Sequence, residues 1–471
     1  MLTLAHFLQT LSTYQATGQE PAVSRVVMDS REVVPGSLFV AYKGEKVDGH
    51  DFVTAAFEQG AIAALVDRPI AEAYPTIDLR TSEPPAVPLS ASTPVCLVVE
   101  DPITALQTSA KAWRARFSAE VIGITGSVGK TSTKELTHAI LSRRYRTFKS
   151  PGNRNSILGL PLALFDLQPG DEKAVLEMGM YTTGEIATLC DMTSPKVGVV
   201  TLVGAVHLER AGSMENIVKA KRELVEALPA DGTAILNKDD ANVMSMAAHT
   251  QARIFTYGLS NTADLWANNI RSKGLEGVRF TMHHNGESLV VQVPLLGRHS
   301  VHTSLRAAAV GLVEGLTWDE ILYGLRNTAV QLRLVTVQGP KNSLIIDDTY
   351  NASPDSVRAA LNLMHDLDGR SVAVLGDMLE LGHLEEEAHR QVGRRAAEVA
   401  KLLVTVGQRA RWIGHEAIAS GLPQENVVMV DDAVTAVATL EELIEENDTV
   451  LIKGSLGMRM DQIVNALGRY S

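Results

Sequence analysis

A glycine-rich segment in the first third of the chain, residues 123–132, has residue types suited to phosphate binding. It reads Gly-Ile-Thr-Gly-Ser-Val-Gly-Lys-Thr-Ser, follows the apolar residues Val121 and Ile122, and leads into a polar, helix-forming stretch. Glycines allow backbone N–H groups to approach phosphate oxygens closely, and the N-terminus of the following helix adds its positive end. The segment therefore predicts a turn between a strand and a helix that binds the phosphates of ATP.

Individual positions of this turn have distinct expected roles. The lysine of such a turn contacts the β- and γ-phosphates, and the hydroxyl after it holds Mg²⁺. Only two residues separate Gly126 from Gly129, whereas a Walker A loop has four between its glycines. A plain strand–helix turn with an exposed lysine is therefore the alternative. The residues predicted to bind ATP here are Thr125, Gly126, Ser127, Val128, Gly129, Lys130, Thr131 and Ser132.

Polar residues also follow other predicted strands of the middle part of the chain. Glu177 ends the apolar run 174–177, and His207 follows the run 197–201. The carboxyl ends of strands in open α/β sheets face the ligand crevice. Both residues are candidate metal ligands, because Mg²⁺ prefers oxygen and imidazole binds many metals. A turn glutamate and a structural histidine are the alternatives.

Two lysines lie close together in a helix predicted at about 216–228. Lys219 and Lys221 are two positions apart, so their side chains leave the helix in different directions. One of them pointing inward would place an amine beside the predicted site. A solvated basic helix face is the alternative.

The last third of the chain repeats the pattern of polar residues after strands. Asp347 and Asp348 follow the run 344–346, and Asp377 follows the run 372–375. Unpaired acids are rarely buried, so a role in the core does not suit these residues. They predict a second ligand-facing sheet edge.

These strand ends need several domains to position them, because 471 residues exceed one ordinary core. Alternating strands and helices predict an α/β fold with three domains. They are a small N-terminal α/β domain (1–100), a central P-loop-type domain with a mostly parallel sheet and helices on both faces (101–329), and a C-terminal Rossmann-like domain (330–471). Short alternating stretches at 253–296 predict an antiparallel appendage, and the prolines of 68–94 predict an irregular loop.

Composition restricts the classes of function. A net charge of −12 argues against a nucleic-acid partner, which favours a basic face. Two cysteines, Cys96 and Cys190, exclude a disulfide framework and fit ordinary buried residues. The N-terminus lacks the pattern of a signal peptide, and no run approaches the roughly 20 apolar residues that span a bilayer. We expect a cytoplasmic protein without membrane insertion.

Taken together, these segments resemble the Mur ligase superfamily over nearly the whole chain, including its shortened glycine loop. The resemblance rests on residues 29–31, 35–41, 48–52, 125–131, 151–155, 177–179, 207–209, 219–221, 347–352 and 375–378. Within the superfamily, the strings at 347–352 and 376–382 favour the member that joins D-alanyl-D-alanine to UDP-N-acetylmuramoyl-tripeptide. The resemblance thus implies an ATP-dependent ligase that acts through an acyl phosphate, as a monomer.

The resemblance also implies roles for single residues. It places Ser30 and Arg31 near the uridine diphosphate of the substrate and gives the phosphate-loop threonine the first Mg²⁺. Glu177 and His207 would serve a second Mg²⁺, and Lys221 matches a lysine that carries a carbamate formed with CO₂. A carbamate is an anionic oxygen ligand, which suits Mg²⁺ where an ammonium does not.

The remaining roles follow in the same way. The catalytic residues would be Lys130, Lys221, His207 and Arg333, and further ATP contacts would come from His299, Thr303, Arg333 and Asp348. The substrates would contact Asn153, Asn155, Tyr350 and Asn351. The chain departs from the superfamily at Ser300 and Thr303, where asparagine is usual, and at Leu332, where glycine precedes the arginine.

Two alternative functions remain from the sequence. A sibling ligase would use the same chemistry with a different amino acid. A regulatory protein could use the nucleotide turn as a switch, although it would not need the acidic strand ends or the region of residues 29–31. A scaffold finds no support in repeats or exposed apolar runs.

Overall fold

The computed structural model describes residues 1–44, 47–70, 74–81, 89, 93–206, 208–326 and 335–468. The predicted site residues His207 and Arg333, together with Leu332, lie outside these ranges. The chain divides into two compact units. The first contains Met1–Ile122, Arg146–Gly179 and Glu185–Pro195, and the second contains Gly123–Tyr145, Met180–Gly184 and Lys196–Ser471.

The N-terminal part of the first unit is built on a parallel five-stranded sheet. Its elements are α1 (Leu4–Leu11), β1 (Val26–Val27), β2 (Leu38–Val40), α2 (Val53–Glu58), β3 (Ala63–Val66), β4 (Thr76–Asp78), β5 (Val95–Val98) and α3 (Pro102–Arg114). The strand order is β1-β2-β3-β5-β4, with Phe39 opposite Ala64 and Ala64 opposite Cys96. Continuous apolar strands such as β3 and β5 are buried on both faces, as a helix-covered parallel sheet requires.

Strand β4 corrects part of the loop prediction for residues 68–94. It pairs in parallel with β5, with Ile77 opposite Leu97 and buried. This three-residue strand was not predicted, because the prolines around it are typical of turns. Three prolines of this stretch, Pro84, Pro85 and Pro88, lie outside the described residues.

The middle of the chain alternates strands and helices. Its elements are β6 (Glu120–Thr125), α4 (Lys130–Leu141), β7 (Thr147–Lys149), α5 (Gly159–Leu164), β8 (Lys173–Glu177), α6 (Glu185–Thr193), β9 (Val197–Val200), α7 (Leu208–Ala211), α8 (Met214–Glu226), β10 (Thr233–Asn237), α9 (Ala241–Met244), β11 (Arg253–Gly258), β12 (Leu265–Ser272), β13 (Val278–His284), β14 (Glu287–Val293), α10 (Ser300–Val313) and α11 (Trp318–Arg326). In the first unit β7 pairs in parallel with β8. In the second unit β9, β10, β11 and β12 are consecutive parallel neighbours.

The predicted antiparallel appendage is present but starts later than expected. Strands β12, β13 and β14 form an antiparallel meander, whereas β11 pairs in parallel with β10 and β12. The sequence misled here because Arg253 and Ile254 are exposed, which gives β11 the polar–apolar mixture of an edge strand.

The C-terminal part of the second unit is a doubly wound sheet, as the Rossmann-like prediction requires. Its elements are β15 (Val335–Gln338), β16 (Leu344–Asp348), α12 (Pro354–His365), β17 (Ser371–Gly376), α13 (Glu385–Val399), β18 (Leu402–Val406), α14 (Arg411–Ala419), β19 (Val427–Val430), α15 (Ala433–Leu443), β20 (Thr449–Lys453) and α16 (Asp461–Leu467). The order is β15-β16-β20-β17-β18-β19, parallel except for the edge strand β15, which the sequence did not predict.

Alternating residues of the central strands belong to two separate hydrophobic cores. In β17, Ala373 and Leu375 pack with α12, α13 and α14, whereas Val372 and Val374 pack with α15 and α16. This period of two, with apolar residues on both faces, is the pattern of a sheet covered by helices on each side. In the described part of the chain, no helix combines the length and the apolar character needed to cross a bilayer.

A buried ion pair joins Arg370 and Asp448, which directly precede β17 and β20. Its removal gives a test of the fold. Asp448 is fully buried and accepts hydrogen bonds from Arg370 Nε (2.9 Å) and Nη2 (2.8 Å) and from the Glu445 backbone N–H (2.7 Å). We expect Asp448→Ala to destabilise the protein by about 3 kcal/mol, because it removes the buried acceptor of Arg370 and of the Glu445 N–H. The guanidinium keeps the Leu443 carbonyl and the exposed Glu445 carboxylate. Thermal unfolding of the full chain measures the loss.

Asp431→Ala is the matched control for that substitution. Asp431 also accepts bonds from two side chains, Gln408 and Arg411, but it is solvent exposed. Its removal should cost less than about 1 kcal/mol. Equal shifts of the melting temperature in the two variants would contradict the assigned role of Asp448.

Candidate active site

The glycine segment forms a tight loop between β6 and α4, as predicted. Gly129 caps the N-terminus of α4 with a φ of 85°, and Gly126 has a φ of 144°. Both values lie in the region that favours glycine. A Cβ on Gly126 would overlap the Oγ1 atom of Thr201, so a side chain cannot be accommodated there.

The segment after β9 holds this phosphate loop in place. Thr201 Oγ1 donates to the Val128 carbonyl (2.7 Å), and the Thr201 N–H donates to the Thr125 carbonyl (2.9 Å). Ser127 Oγ bonds both the carbonyl (3.0 Å) and the N–H (2.9 Å) of Gly204. The loop is therefore fixed before any ligand binds, which lowers the ordering cost of binding.

Positive groups surround the start of α4. Lys130 is its first residue, and its Nζ donates to the Gly126 carbonyl at 2.9 Å, so the ammonium lies over the loop. The first turn contains no acidic residue, and Thr131 and Ser132 are half-buried within it. An anion at this helix end would meet both the ammonium and the helix dipole.

Lys221 points inward from α8, whereas Lys219 is exposed, as the spacing predicted for one of the pair. Only 4% of Lys221 is accessible to solvent. Burial, with a smaller effect of the Lys130 charge, lowers the pKa of Lys221 to about 7. A large fraction of this amine is consequently neutral near pH 7, which is the form that reacts with CO₂.

In the first unit, Glu177 lies at the end of β8 and is almost fully buried. Its Oε1 accepts a hydrogen bond from Asn155 Nδ2 at 2.8 Å, and the Asn155 carbonyl accepts from the Gly179 N–H at 2.7 Å. Asn153 lies in the same loop and is exposed. The structure thus brings together a predicted metal ligand and two predicted substrate contacts.

The N-terminal substrate residues lie next to this loop. Asp29 accepts from the Arg31 N–H (2.9 Å) and so caps the short turn Ser30–Glu32, while the Arg31 guanidinium pairs with Asp29 at 2.6 Å. The side-chain contact of Arg154 with Glu32, at 3.4 Å, joins the turn to the loop that carries the two asparagines. Four predicted substrate residues therefore share one region of the first unit.

At the C-terminal sheet edge, the predicted acid Asp348 has a partner that the sequence did not predict. Asp348 Oδ2 accepts from Lys453 Nζ at 2.6 Å, and Lys453 also donates to the Asn351 carbonyl at 2.8 Å. Lys453 ends β20 directly beside Asp348 at the end of β16. The signal was available, because this lysine follows an apolar strand as the acids do. Tyr350 is exposed beside this pair.

The other two acids of this sheet edge, Asp347 and Asp377, accept hydrogen bonds from backbone N–H groups. Asp347 Oδ1 accepts from the N–H (3.0 Å) and hydroxyl (2.7 Å) of Thr349. Asp377 is 4% exposed, and its Oδ1 accepts from the Ala410 N–H at 2.7 Å. The expectation that a core role does not suit Asp377 was wrong, because a backbone donor replaces the water that the carboxylate loses on burial.

At the start of α10, Ser300 and Thr303, which stand where asparagine is usual, both form hydrogen bonds within the protein. Ser300 Oγ donates to the Leu296 carbonyl at 2.6 Å, and Thr303 Oγ1 accepts from Arg306 Nη2 at 2.7 Å. His299 is accessible to solvent, although many protein atoms surround its ring. This desolvation, followed by the charges of Arg306 and Lys453, lowers the pKa of His299 to about 4, so the ring is neutral at pH 7.

Within the second unit, the C-terminal sheet domain touches the segment beside the phosphate loop. The Glu209 N–H donates to the Glu380 carbonyl at 3.3 Å. Asp355, in the first turn of α12, approaches Gly204 so closely that a Cβ there would lie 2.9 Å from its Oδ2. The acidic edge and the nucleotide loop are therefore parts of one compact unit.

The oxygen atoms of two predicted metal ligands, Glu177 and Thr131, are of the kind that binds magnesium. Glu177 supplies a carboxylate and Thr131 a hydroxyl, the oxygen ligands that Mg²⁺ prefers. Among the described residues, no three His, Cys, Asp or Glu side chains group at metal-binding distances. The assignment of metal to Thr131, Glu177, His207 and Lys221 stays a prediction.

The glycine loop, the parallel sheets and the acidic edge define a nucleotide-dependent α/β enzyme. Three family models match the chain: the Mur ligase family catalytic domain at residues 22–94, the Mur ligase middle domain at 124–311, and the Mur ligase glutamate ligase domain at 332–456. The chain belongs to the Mur ligase family and is a ligase with the three-domain α/β fold that the sequence predicted.

Its relatives include the UDP-N-acetylmuramoyl-tripeptide–D-alanyl-D-alanine ligases of Escherichia coli and Bacillus subtilis. The first is 37% identical over 96% of this chain and 95% of the relative, and the second is 34% identical over 95% and 94%. The crystal structure of MurF from Acinetobacter baumannii matches with a TM-score of 0.84 at 29% identity, covering 98% of both chains. MurF ligase from Thermotoga maritima in complex with ADP matches with a TM-score of 0.78 at 26% identity, covering 94% of this chain and 97% of that chain.

The packing of the glycine loop gives a direct test of its role. Gly126→Ala forces a Cβ against Thr201, so we expect the Kd of ATP to rise by at least about tenfold, or ~1.4 kcal/mol. Isothermal titration calorimetry measures this change.

Gly421→Ala separates that steric effect from backbone strain. Gly421 also has a positive φ, 104°, but open space surrounds the position of its Cβ. This variant should lose about 1–3 kcal/mol of stability and bind ATP like the wild type. An unchanged ATP affinity in Gly126→Ala would rule out the loop as the nucleotide site.

Proposed function

We propose that the chain joins D-alanyl-D-alanine to UDP-N-acetylmuramoyl-tripeptide with the consumption of ATP, as a cytoplasmic monomer in peptidoglycan precursor synthesis. The observation that carries the proposal is the preassembled glycine loop with Lys130 over it, in a chain 37% identical to a ligase named for that reaction. ATP use is supported by the ADP complex of a structural neighbour.

The chemistry follows from the poor reactivity of a carboxylate. The terminal carboxylate of the tripeptide attacks the γ-phosphorus of ATP, so ADP leaves and an acyl phosphate forms. The free amine of the dipeptide then attacks the acyl carbon, and phosphate leaves with the bonding pair while the amine loses a proton. Both steps move charge among phosphoryl oxygens, so the enzyme mainly supplies positioning and positive charge.

The residues divide between these steps. Lys130 and the N-terminus of α4 would hold the ATP phosphates, with Arg333 reaching the γ-phosphate. Thr125, Gly126, Ser127, Val128, Gly129, Thr131, Ser132, His299, Thr303 and Asp348 would complete the ATP site.

The two other substrates would contact separate sets of residues. Ser30 and Arg31 would contact the uridine diphosphate, and Asn153 and Asn155 would lie near the acyl end, which fits their common position in the first unit. Tyr350 and Asn351 would contact the dipeptide.

Magnesium would add the remaining positive charge. Thr131 would bind one ion, and Glu177 and His207 would bind a second ion together with a carbamate on Lys221. The lowered pKa of Lys221 supports this modification, because only the neutral amine attacks CO₂. When bound, Mg²⁺ neutralises the phosphoryl oxygens that gain charge.

A product assay with a panel of amines tests the proposed reaction. The purified protein receives ATP, Mg²⁺ and UDP-N-acetylmuramoyl-tripeptide with D-alanyl-D-alanine or with single amino acids, including glutamate. We expect ADP release and a UDP-linked pentapeptide with the dipeptide alone. Product with another amine would identify a sibling ligase, and nucleotide binding without any product would favour a regulatory protein.

The carbamate on Lys221 is a separate prediction. Lys221→Ala should reduce kcat by at least about a hundredfold, since the amine that would hold the anionic ligand is gone. Wild-type activity should fall in CO₂-depleted buffer and return with bicarbonate. The carbamate content, read by ¹³C NMR with labelled bicarbonate, should rise from pH 6 to pH 8, because the amine deprotonates around pH 7.

Lys219→Ala provides the control, since this lysine lies one half-turn away and is exposed. It should keep near wild-type kcat. Activity that is indifferent to CO₂ and to the loss of Lys221 would remove the carbamate from the mechanism.

A further inference from the structure

A buried arginine lies directly against the phosphate loop, although no sequence pattern singled it out. Arg306, on α10, is 4% exposed. Its Nη2 lies 2.6 Å from the position that a Cβ on Gly129 would take, and its Cζ lies 3.3 Å from that position. The guanidinium therefore packs on Gly129, the glycine that caps the N-terminus of α4.

The neighbours of Arg306 are polar but carry no compensating charge. Nη2 donates to Thr303 Oγ1 at 2.7 Å, and the guanidinium also faces the hydroxyl of Tyr257. That hydroxyl donates to the Thr201 carbonyl at 2.8 Å. In the ranges that the structure describes, no carboxylate forms an ion pair with Arg306, and its buried Nε has no hydrogen-bond partner.

The acids in this neighbourhood have other partners. Asp239 pairs with His302 at 2.8 Å, and Asp240 accepts from the backbone N–H groups of Val203 (2.8 Å) and Asn242 (2.9 Å). Both carboxylates therefore already have hydrogen-bond partners other than Arg306. The guanidinium remains a buried cation without an anion from the described protein.

A buried charge without a partner is costly, so a fold retains one where a ligand supplies the opposite charge. The loop against which Arg306 packs is built to hold phosphates. A phosphate oxygen bonded to the Gly129 N–H would lie less than about 9 Å from Nη2, by the bond lengths between them. Arg306 itself is buried, so its attraction to that phosphate is screened less than that of an exposed charge.

We propose that Arg306 is a positioning residue of the phosphate loop, whose counter-charge is the polyphosphate of the bound nucleotide. It acts through the loop backbone and does not touch the ligand, and it favours nucleoside di- and triphosphates over the nucleoside. The proposal rests on the placement of ATP at this loop in the proposed function. Thr303 serves it by orienting the guanidinium, which gives a use to one of the two departures from asparagine.

Arg306→Met tests the charge, because methionine keeps an unbranched side chain and removes the cation. We expect the Kd of ADP and of ATP to rise by about tenfold, with less than a twofold change for adenosine. The melting temperature of the ligand-free protein should stay the same or rise, since an unpaired buried charge is lost. The KM values of the UDP substrate and of the dipeptide should not change.

Two companion variants keep the test decisive. Arg306→Lys retains the charge and should retain most of the ADP affinity. Thr303→Val removes the hydroxyl that orients the guanidinium, and it should weaken ADP binding less than Arg306→Met does. An ADP affinity equal to that of the wild type in Arg306→Met overturns the proposal, as does an equal loss for adenosine and ADP with a lower melting temperature.

Lys130→Met distinguishes a failure of this inference from a failure of the proposed function. If Lys130→Met weakens ADP binding and Arg306→Met does not, Arg306 is only a packing residue. If neither variant affects ADP binding, the loop is not the nucleotide site, and both the placement of ATP and the role of Arg306 are wrong.

Discussion

The contact between Gly126 and Thr201 is the constraint on which the nucleotide side of the structure depends. Thr201 follows β9, and its backbone and hydroxyl bind two carbonyls of the phosphate loop. The room for this contact exists only because position 126 lacks a Cβ. The loop, the first turn of α4 and the segment after β9 are therefore one rigid element, and a ligand bound there meets a surface that does not need to reorganise.

Local charge around this element is opposite in sign to that of the whole protein. The chain has a net charge of −12, yet Lys130 and Arg306 both lie against the loop. Long-range repulsion of a nucleotide by the surface is overcome at short range, because buried charges are screened less than exposed ones. Burial, with a smaller effect of the Lys130 charge, explains why the amine of Lys221 is easily deprotonated.

The sequence predicted what periodicity and strand ends encode. The glycine turn, one inward lysine of the pair Lys219 and Lys221, and the doubly wound C-terminal sheet needed only local patterns. Arg306 could not be found in that way, because the loop it packs against lies far away along the chain. Lys453 ends a strand, so its place at the sheet edge could be predicted locally, but its pairing with Asp348 could not. Asp377 was misjudged for a related reason: whether an acid can be buried depends on the donor that meets it, here the backbone of Ala410. His207 and Arg333 lie outside the described residues and stay predictions.

Two of the buried lysines of the second unit, Lys221 and Lys453, have different surroundings and different expected roles. Lys453 is 2% exposed and bonds both Asp348 and the Asn351 carbonyl, so its ammonium is satisfied and fixes the sheet edge. Lys221 is 4% exposed and, among the described residues, meets no carboxylate in an ion pair. Because burial without an anion favours the neutral amine, the proposed reaction with CO₂ suits Lys221 and does not suit Lys453. The proposed carbamate thus depends on the lack of an ion-pair partner for Lys221 among the described residues, because burial alone is common to both lysines.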